Sequence, residues 1–161
     1  MLSDQQFQLV QPKLKIFQFI VGAMIGGVLV LALVTNLLFP WAQAAMDISM
    51  LPLLGAAASF FSIILSFLLP ALAANSVPKF SEDDTVDQQQ KCLSEAANVF
   101  MMGRMIRVVL LEGGCFLNLI VYLLEQSHLS LIAAAVGLFV LMLSFPAAFV
   151  MRRWLEARVN D

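Results

Sequence analysis

The sequence predicts an all-α integral membrane protein: a four-transmembrane-helix bundle with both ends cytoplasmic and the third helix extended into the cytoplasm. Three observations carry that reading. The chain of 161 residues is 61% hydrophobic and 12% charged, with a mean hydropathy of +0.90. A soluble domain is nearer half apolar and a quarter charged, so lipid has to serve as solvent for this one. Four apolar stretches are each long enough to cross a bilayer as a helix, which takes about 20 residues. The nine Lys and Arg residues are distributed so that two of the connections contain none.

The first span runs from about 16 to 39, inside a stretch without charge between Lys15 and Asp47, and Pro40 ends it. The polar start MLSDQQFQLVQPKLK and the long apolar run after it do not fit a cleavable signal peptide. The second span covers about 48–74. Pro52 suits its first turn, where a missing N–H costs nothing, and Pro70 is expected to kink its far end. Residues 75–104 form a cytoplasmic loop and a helix start, with Ser81 or Asp84 as the cap and acidic side chains in the first turn. No proline interrupts the chain from there to Leu124, so the helix is expected to continue into a third span at about 105–124. Leu93, Ala96, Ala97, Phe100 and Met101 give its early part an apolar stripe, to lie on the membrane surface or against the C-terminal tail. The fourth span covers about 129–151, kinked by Pro146, and an amphipathic tail follows at 152–161. All of this is one membrane domain.

Orientation follows from positive charge. Lys13, Lys15, Lys79, Lys91, Arg104, Arg107, Arg152, Arg153 and Arg158 lie in the two tails or around the central loop, whereas FPWAQAAMD and EQSHLS hold none. The positive-inside rule then places both termini and the central loop in the cytoplasm, in a bacterial inner membrane crossed several times. Trp41 and Trp154 fall at opposite interfaces. Cys92 and Cys115 read as free thiols of a reducing compartment.

Small residues recur four apart in Gly22–Gly26, Gly55–Ser59 and Ala133–Gly137, a spacing that lets helix backbones approach closely. Packing within one bundle and contact between copies are both compatible with it. In RVVLLEGGCFLNLIVYLL, Glu112 stands inside the third span, roughly 7–8 Å past Arg107 along the helix. A carboxyl at that depth costs a few kcal/mol unless it has a partner or a function. Three readings stay open: a protonated carboxyl that packs helices together beside Gly113 and Gly114, a titrating proton or cation site, and an anchor to another membrane subunit. Asn118 is a second candidate polar anchor or ion-site residue, grouped with Arg107, Leu111, Gly114 and Glu125 on the face that points away from Glu112.

The segment RMIRVVLLEGGCFLNLIVYLLE resembles a pattern, (A/V)LLEG-small-small-F-x-N-L, of small bacterial four-span membrane proteins of uncharacterised function. The resemblance covers about a quarter of the chain, implies the four-span fold and carries no activity. LLEGG is also similar to the carboxylate helix of rotary-ATPase ring subunits. This chain departs from those in having one carboxylate, no duplicated hairpin and an acidic loop, so the ion-binding role is not carried over.

No nucleotide-binding glycine loop, nucleophile–base arrangement or intramembrane carboxylate pair is present. His128 is the only histidine, which disfavours bound haem, and the Met101–Met105 spacing lies beside Arg104, where a copper ion would be repelled. No cofactor, metal or nucleic-acid partner is expected. The expected partners are membrane lipid and other membrane subunits or further copies of the chain. The leading function is therefore a non-catalytic accessory, assembly or scaffold subunit. The alternatives are a proton- or cation-conducting oligomer using Glu112, and a cytoplasmic recruitment module built on Ser81–Arg104.

Overall fold

A computed structural model describes residues 4–40, 49–74 and 86–159. The described chain is built from five helices: α1 (Asp4–Leu38), α2 (Met50–Ala74), α3 (Val86–Glu125), α4 (His128–Leu143) and α5 (Ala148–Val159). Three of them are long and apolar enough to cross a membrane, over Phe7–Leu38, Met50–Leu72 and Asp87–Glu125. The protein is thus helical and of membrane-embedded character, with α4 and α5 meeting the same criterion only as a bent pair. The predicted caps Ser81 and Asp84, and Trp41, lie outside the described residues.

α3 is the mast of the fold. Its 40 residues rise about 60 Å at 1.5 Å each, roughly twice the thickness of a hydrocarbon core. The stretch from Arg107 to Glu125 alone, about 27 Å, matches that thickness. Each other helix packs on it, α2 most extensively. The exposed outer faces carry Leu33, Phe60, Phe61, Ile120 and Phe139, side chains that suit lipid rather than water.

Below Arg107 the mast carries the same core onward. Val10, Leu14 and Phe17 of α1, Leu93, Ala96, Ala97 and Phe100 of α3, and Met151 and Leu155 of α5 are buried together. Ala96 and Ala97 leave room for the neighbouring helices because neither carries more than a methyl group. The early stripe of the third helix is therefore covered by α1 and α5 and does not lie free on a membrane surface. α1 is correspondingly longer than the predicted first span, because its polar first turns belong to this cluster. The Lys13 ammonium donates to Ser94 Oγ at 3.0 Å and Asn98 Oδ1 at 3.4 Å. The Arg152 guanidinium stands 6.0 Å from the Phe7 ring, so the two ends of the described chain meet at the same end of the bundle.

The stretch expected as the fourth span, about 129–151, is bent, as the expected kink at Pro146 implies. α4 stops at Leu143, and the chain turns by 65° before α5 begins at Ala148. Pro146 has no N–H to continue the helix and disfavours helical geometry at Phe145. The freed groups are answered locally. Ser144 donates from both its N–H, at 3.0 Å, and its hydroxyl, at 2.8 Å, to the Val140 carbonyl. The Gln18 amide of α1 donates to the Pro146 carbonyl at 2.8 Å. Non-helical backbone at membrane depth is stable only when satisfied by protein in this way.

The turn between α3 and α4 is short. Gln126 adopts a left-handed conformation with φ of 51°, and its N–H donates to the Tyr122 carbonyl at 2.7 Å. That pattern is the usual helix stop, with Gln where Gly is commoner. α4 returns along α3 with Ser130, Ala134, Gly137 and Leu141 turned inward. The tightest point is Gly137, where a methyl group would come 2.8 Å from Cys115 Sγ. Gly137→Ala should therefore lower stability by about 1–3 kcal/mol through overpacking. Adding Cys115→Ala should recover most of that loss. Thermal unfolding of the four-member mutant cycle in detergent checks it, and additive effects would contradict this contact.

Candidate functional site

α2 and α3 meet along a seam of small residues in antiparallel register. Gly55 faces Asn118, Ser59 faces Gly114, Ser66 faces Arg107 and Pro70 faces Gly103. Each step of four or seven residues along α2 is matched by an equal step back along α3, the periodicity of a left-handed helix pair. A methyl group at Gly114 would lie 3.6 Å from the Ser59 Cα, and one at Gly103 would lie 3.2 Å from the Pro70 Cβ. Such approach is what Gly and Ser permit and larger side chains prevent.

Asn118 is the polar centre of that seam and is fully buried. Its amide nitrogen donates to the Gly55 carbonyl at 3.2 Å, to the Gly114 carbonyl at 2.9 Å, and to Ser59 Oγ. The Ser59 hydroxyl in turn donates to the Gly114 carbonyl at 3.1 Å. Two carbonyls facing one amide fix which end of the side chain is nitrogen. Asn118 Oδ1 makes no hydrogen bond among the described residues and lies against Gly55. Thr35 Oγ1 and Ser130 Oγ are likewise buried without partners.

Arg107 performs a related task at the other end. Pro70 offers no N–H to the Ser66 carbonyl four residues earlier, and the Arg107 Nε donates to that carbonyl at 3.0 Å. At the opposite end Tyr122, a fully buried side chain, donates its hydroxyl to the Phe39 carbonyl at 2.9 Å, where Pro40 terminates α1. Ser49 donates to the Glu125 carboxylate just before α2 begins.

Glu112 lies elsewhere. It is half-buried beside exposed Gly113, at the margin of an outward stripe formed by Val109, Leu117, Ile120 and Leu124. Among the described residues it has no hydrogen bond or ion pair. Glu112 and Asn118 are separated by about 120° around the helix and do not form one site. Among the remaining small residues, Gly55, Ser59, Gly114 and Gly137 are brought against another helix, and Ala133 is half-buried beside Ala134, whose carbonyl accepts from Cys115 at 3.7 Å. Gly22, Gly26 and Gly113 are not, since a methyl group on any of them would meet nothing within 4 Å. α1 buries the adjacent stripe of Val21, Val28 and Thr35 instead. Cys92 and Cys115 are free thiols, and no group of three or more His, Cys, Asp or Glu able to hold a metal occurs among the described residues.

Sequence reasoning missed the Asn118–Ser59 pair, Arg107 on Ser66 and Gln18 on Pro146. The signal for the last two was available: a proline inside a span leaves a carbonyl for some polar side chain to answer. The first was signalled by Gly114 and Asn118 standing one turn apart.

Fold and seam together define a helical membrane-embedded protein held by close helix packing. Comparison with protein-family models, with curated proteins and with solved structures gave no match in any of the three.

The donor role of Asn118 is testable by an isosteric change. Asn118→Ala should cost roughly 1–2 kcal/mol, the upper range for interhelical hydrogen bonds in membranes. Asn118→Asp should cost more, because it turns carboxylate oxygen towards two carbonyls. Unfolding in micelles ranks the two, and a milder Asp variant would contradict the assignment.

Proposed function

We propose that this chain is a non-catalytic accessory or assembly subunit, joining a larger membrane complex or further copies of itself through the α3 edge at Glu112 and Gly113. The observation that carries the reading is a carboxyl at membrane depth, without a partner among the described residues, beside a glycine open to the outside. A carboxyl facing lipid there is unfavourable by a few kcal/mol, and a second helix on that edge would supply the missing partner. Gly113 is where such a helix would come close. The open glycines Gly22, Gly26 and Gly27 of α1 offer a further edge of the same kind.

The same proposal includes four crossings of a bacterial inner membrane with both ends cytoplasmic. It is supported by the meeting of both chain ends at the end bearing Lys13, Arg104, Arg107 and Arg152, and by the absence of Lys and Arg from the other connections. Conduction through Glu112 has less support, because the carboxyl does not face the Asn118–Ser59 cluster. Recruitment through the early apolar stripe of α3 also has less, because α1 and α5 cover it.

Gentle extraction of the tagged protein from its own membrane is expected to yield a defined assembly larger than one chain. Gly113→Leu should reduce that assembly about ten-fold while leaving the unfolding temperature of the single chain unchanged, since a methyl group there meets nothing within 4 Å among the described residues. A wild-type protein that runs as a monomer in every mild detergent would refute the proposal. Assembly that survives Gly113→Leu would move the contact to another edge.

A further inference from the structure

We propose that the cleft between α2, α3 and α5 at the arginine-bearing end binds the phosphate of an anionic membrane lipid. The cleft encloses about 200 Å³, and Phe67, Pro70, Phe100, Arg104, Arg107 and Trp154 are among its walls. Two guanidinium groups thus border one opening, three residues apart on one helix. Each is held by an aromatic ring: Arg104 stands 5.4 Å from the Phe100 ring centre and Arg107 4.2 Å from that of Phe67. Trp154 closes the side against Phe100, with ring centres 5.4 Å apart.

Charge identifies the occupant. Among the described residues no carboxylate pairs with Arg104 or Arg107; Glu156, the acid on α5, pairs with Arg152 at 3.2 Å. Arg107 spends one N–H on the Ser66 carbonyl and keeps its terminal nitrogens, while among the described residues Arg104 makes only its ring contact. Guanidinium groups match phosphate geometry through paired N–H donors. Two cations with no paired carboxylate among the described residues favour a headgroup with net negative charge over a zwitterion, whose ammonium they would repel.

Position identifies the source as lipid and not free phosphate. Arg107 marks one end of the bilayer-matched stretch of α3, which is headgroup depth. The outward side of the cleft opens onto exposed Phe67, Leu68 and Leu72 of α2, an apolar surface along which acyl chains would run. The cleft itself has room for a phosphate and glycerol, with the chains left outside.

The test uses the full chain in nanodiscs of phosphatidylcholine containing a minor fraction of phosphatidylglycerol, with retained lipid counted by native mass spectrometry. Wild-type protein should retain phosphatidylglycerol over phosphatidylcholine by about ten-fold. Arg104→Gln should reduce the preference about five-fold, in line with the attraction of one cation to an anionic surface. The pair Arg104→Gln with Arg107→Gln should remove it. Lys15→Gln, a change at an exposed cation outside the cleft, should leave it intact. Arg104 bonds to no backbone group, so its variant should fold even if loss of Arg107 disturbs α2. Equal retention of the two lipids, or an equal effect of Lys15→Gln, would overturn the site. Displacement of the retained lipid by millimolar inorganic phosphate would overturn its assignment to lipid.

Discussion

The whole arrangement depends on how closely α2 can approach α3. In lipid the hydrophobic effect does not press helices together, because the surrounding tails are as apolar as Leu. What remains is van der Waals contact and hydrogen bonding across the interface, both of which need short separation. Gly55, Ser59, Gly103 and Gly114 provide it by having little or no side chain, and Asn118 then reaches two backbone carbonyls at once. A larger residue at Gly55, Ser59 or Gly114 would move the helices apart beside Asn118 and break the amide bonds in the same step.

The same logic extends to the prolines. Inside a span a proline deprives an earlier carbonyl of its donor, and in hydrocarbon no water replaces it. Arg107 answers the carbonyl left by Pro70, while α2 runs on to Ala74. At Pro146 the helix does break, and Gln18 and Ser144 hold the exposed backbone. These devices link α1 to the α4–α5 bend and α2 to α3. Fixing the Arg107 backbone bond also places its guanidinium at the mouth of the cleft, so a structural repair shapes a candidate binding surface.

Much of the fold was legible because hydropathy over long windows is a strong signal. The apolar runs, the unbroken third helix and the stop before Pro40 follow from composition and from the positions of proline. The length of α1 was not legible, because its first turns are held by partners far away in sequence: Val10 and Leu14 share a buried cluster with Leu93 and Ala96, and Lys13 bonds to Ser94. The bend at Pro146 was expected as a kink, but its size depends on how Gln18 receives the freed carbonyl. The site was less legible still. Glu112 attracts notice because it is charged, yet the residue that the bundle engages most fully is neutral Asn118. Glycine spacing alone does not separate Gly55, which meets a neighbour, from Gly22 and Gly26, which meet none among the described residues.

The central claim is the register of the α2–α3 seam. A methyl group at Gly114 would lie 3.7 Å from the Ser59 Cβ, close to the mean Cβ separation of about 3.8 Å in disulfides. The direct measurement is oxidative cross-linking in native membranes of Ser59→Cys with Gly114→Cys, in a chain whose own cysteines are replaced by serine, with free thiols counted by maleimide mass tags. The account predicts that this pair loses its free thiols on mild oxidation while Ser62→Cys with Gly114→Cys retains them. Equal reactivity of both pairs, or closure of the displaced pair alone, would contradict it.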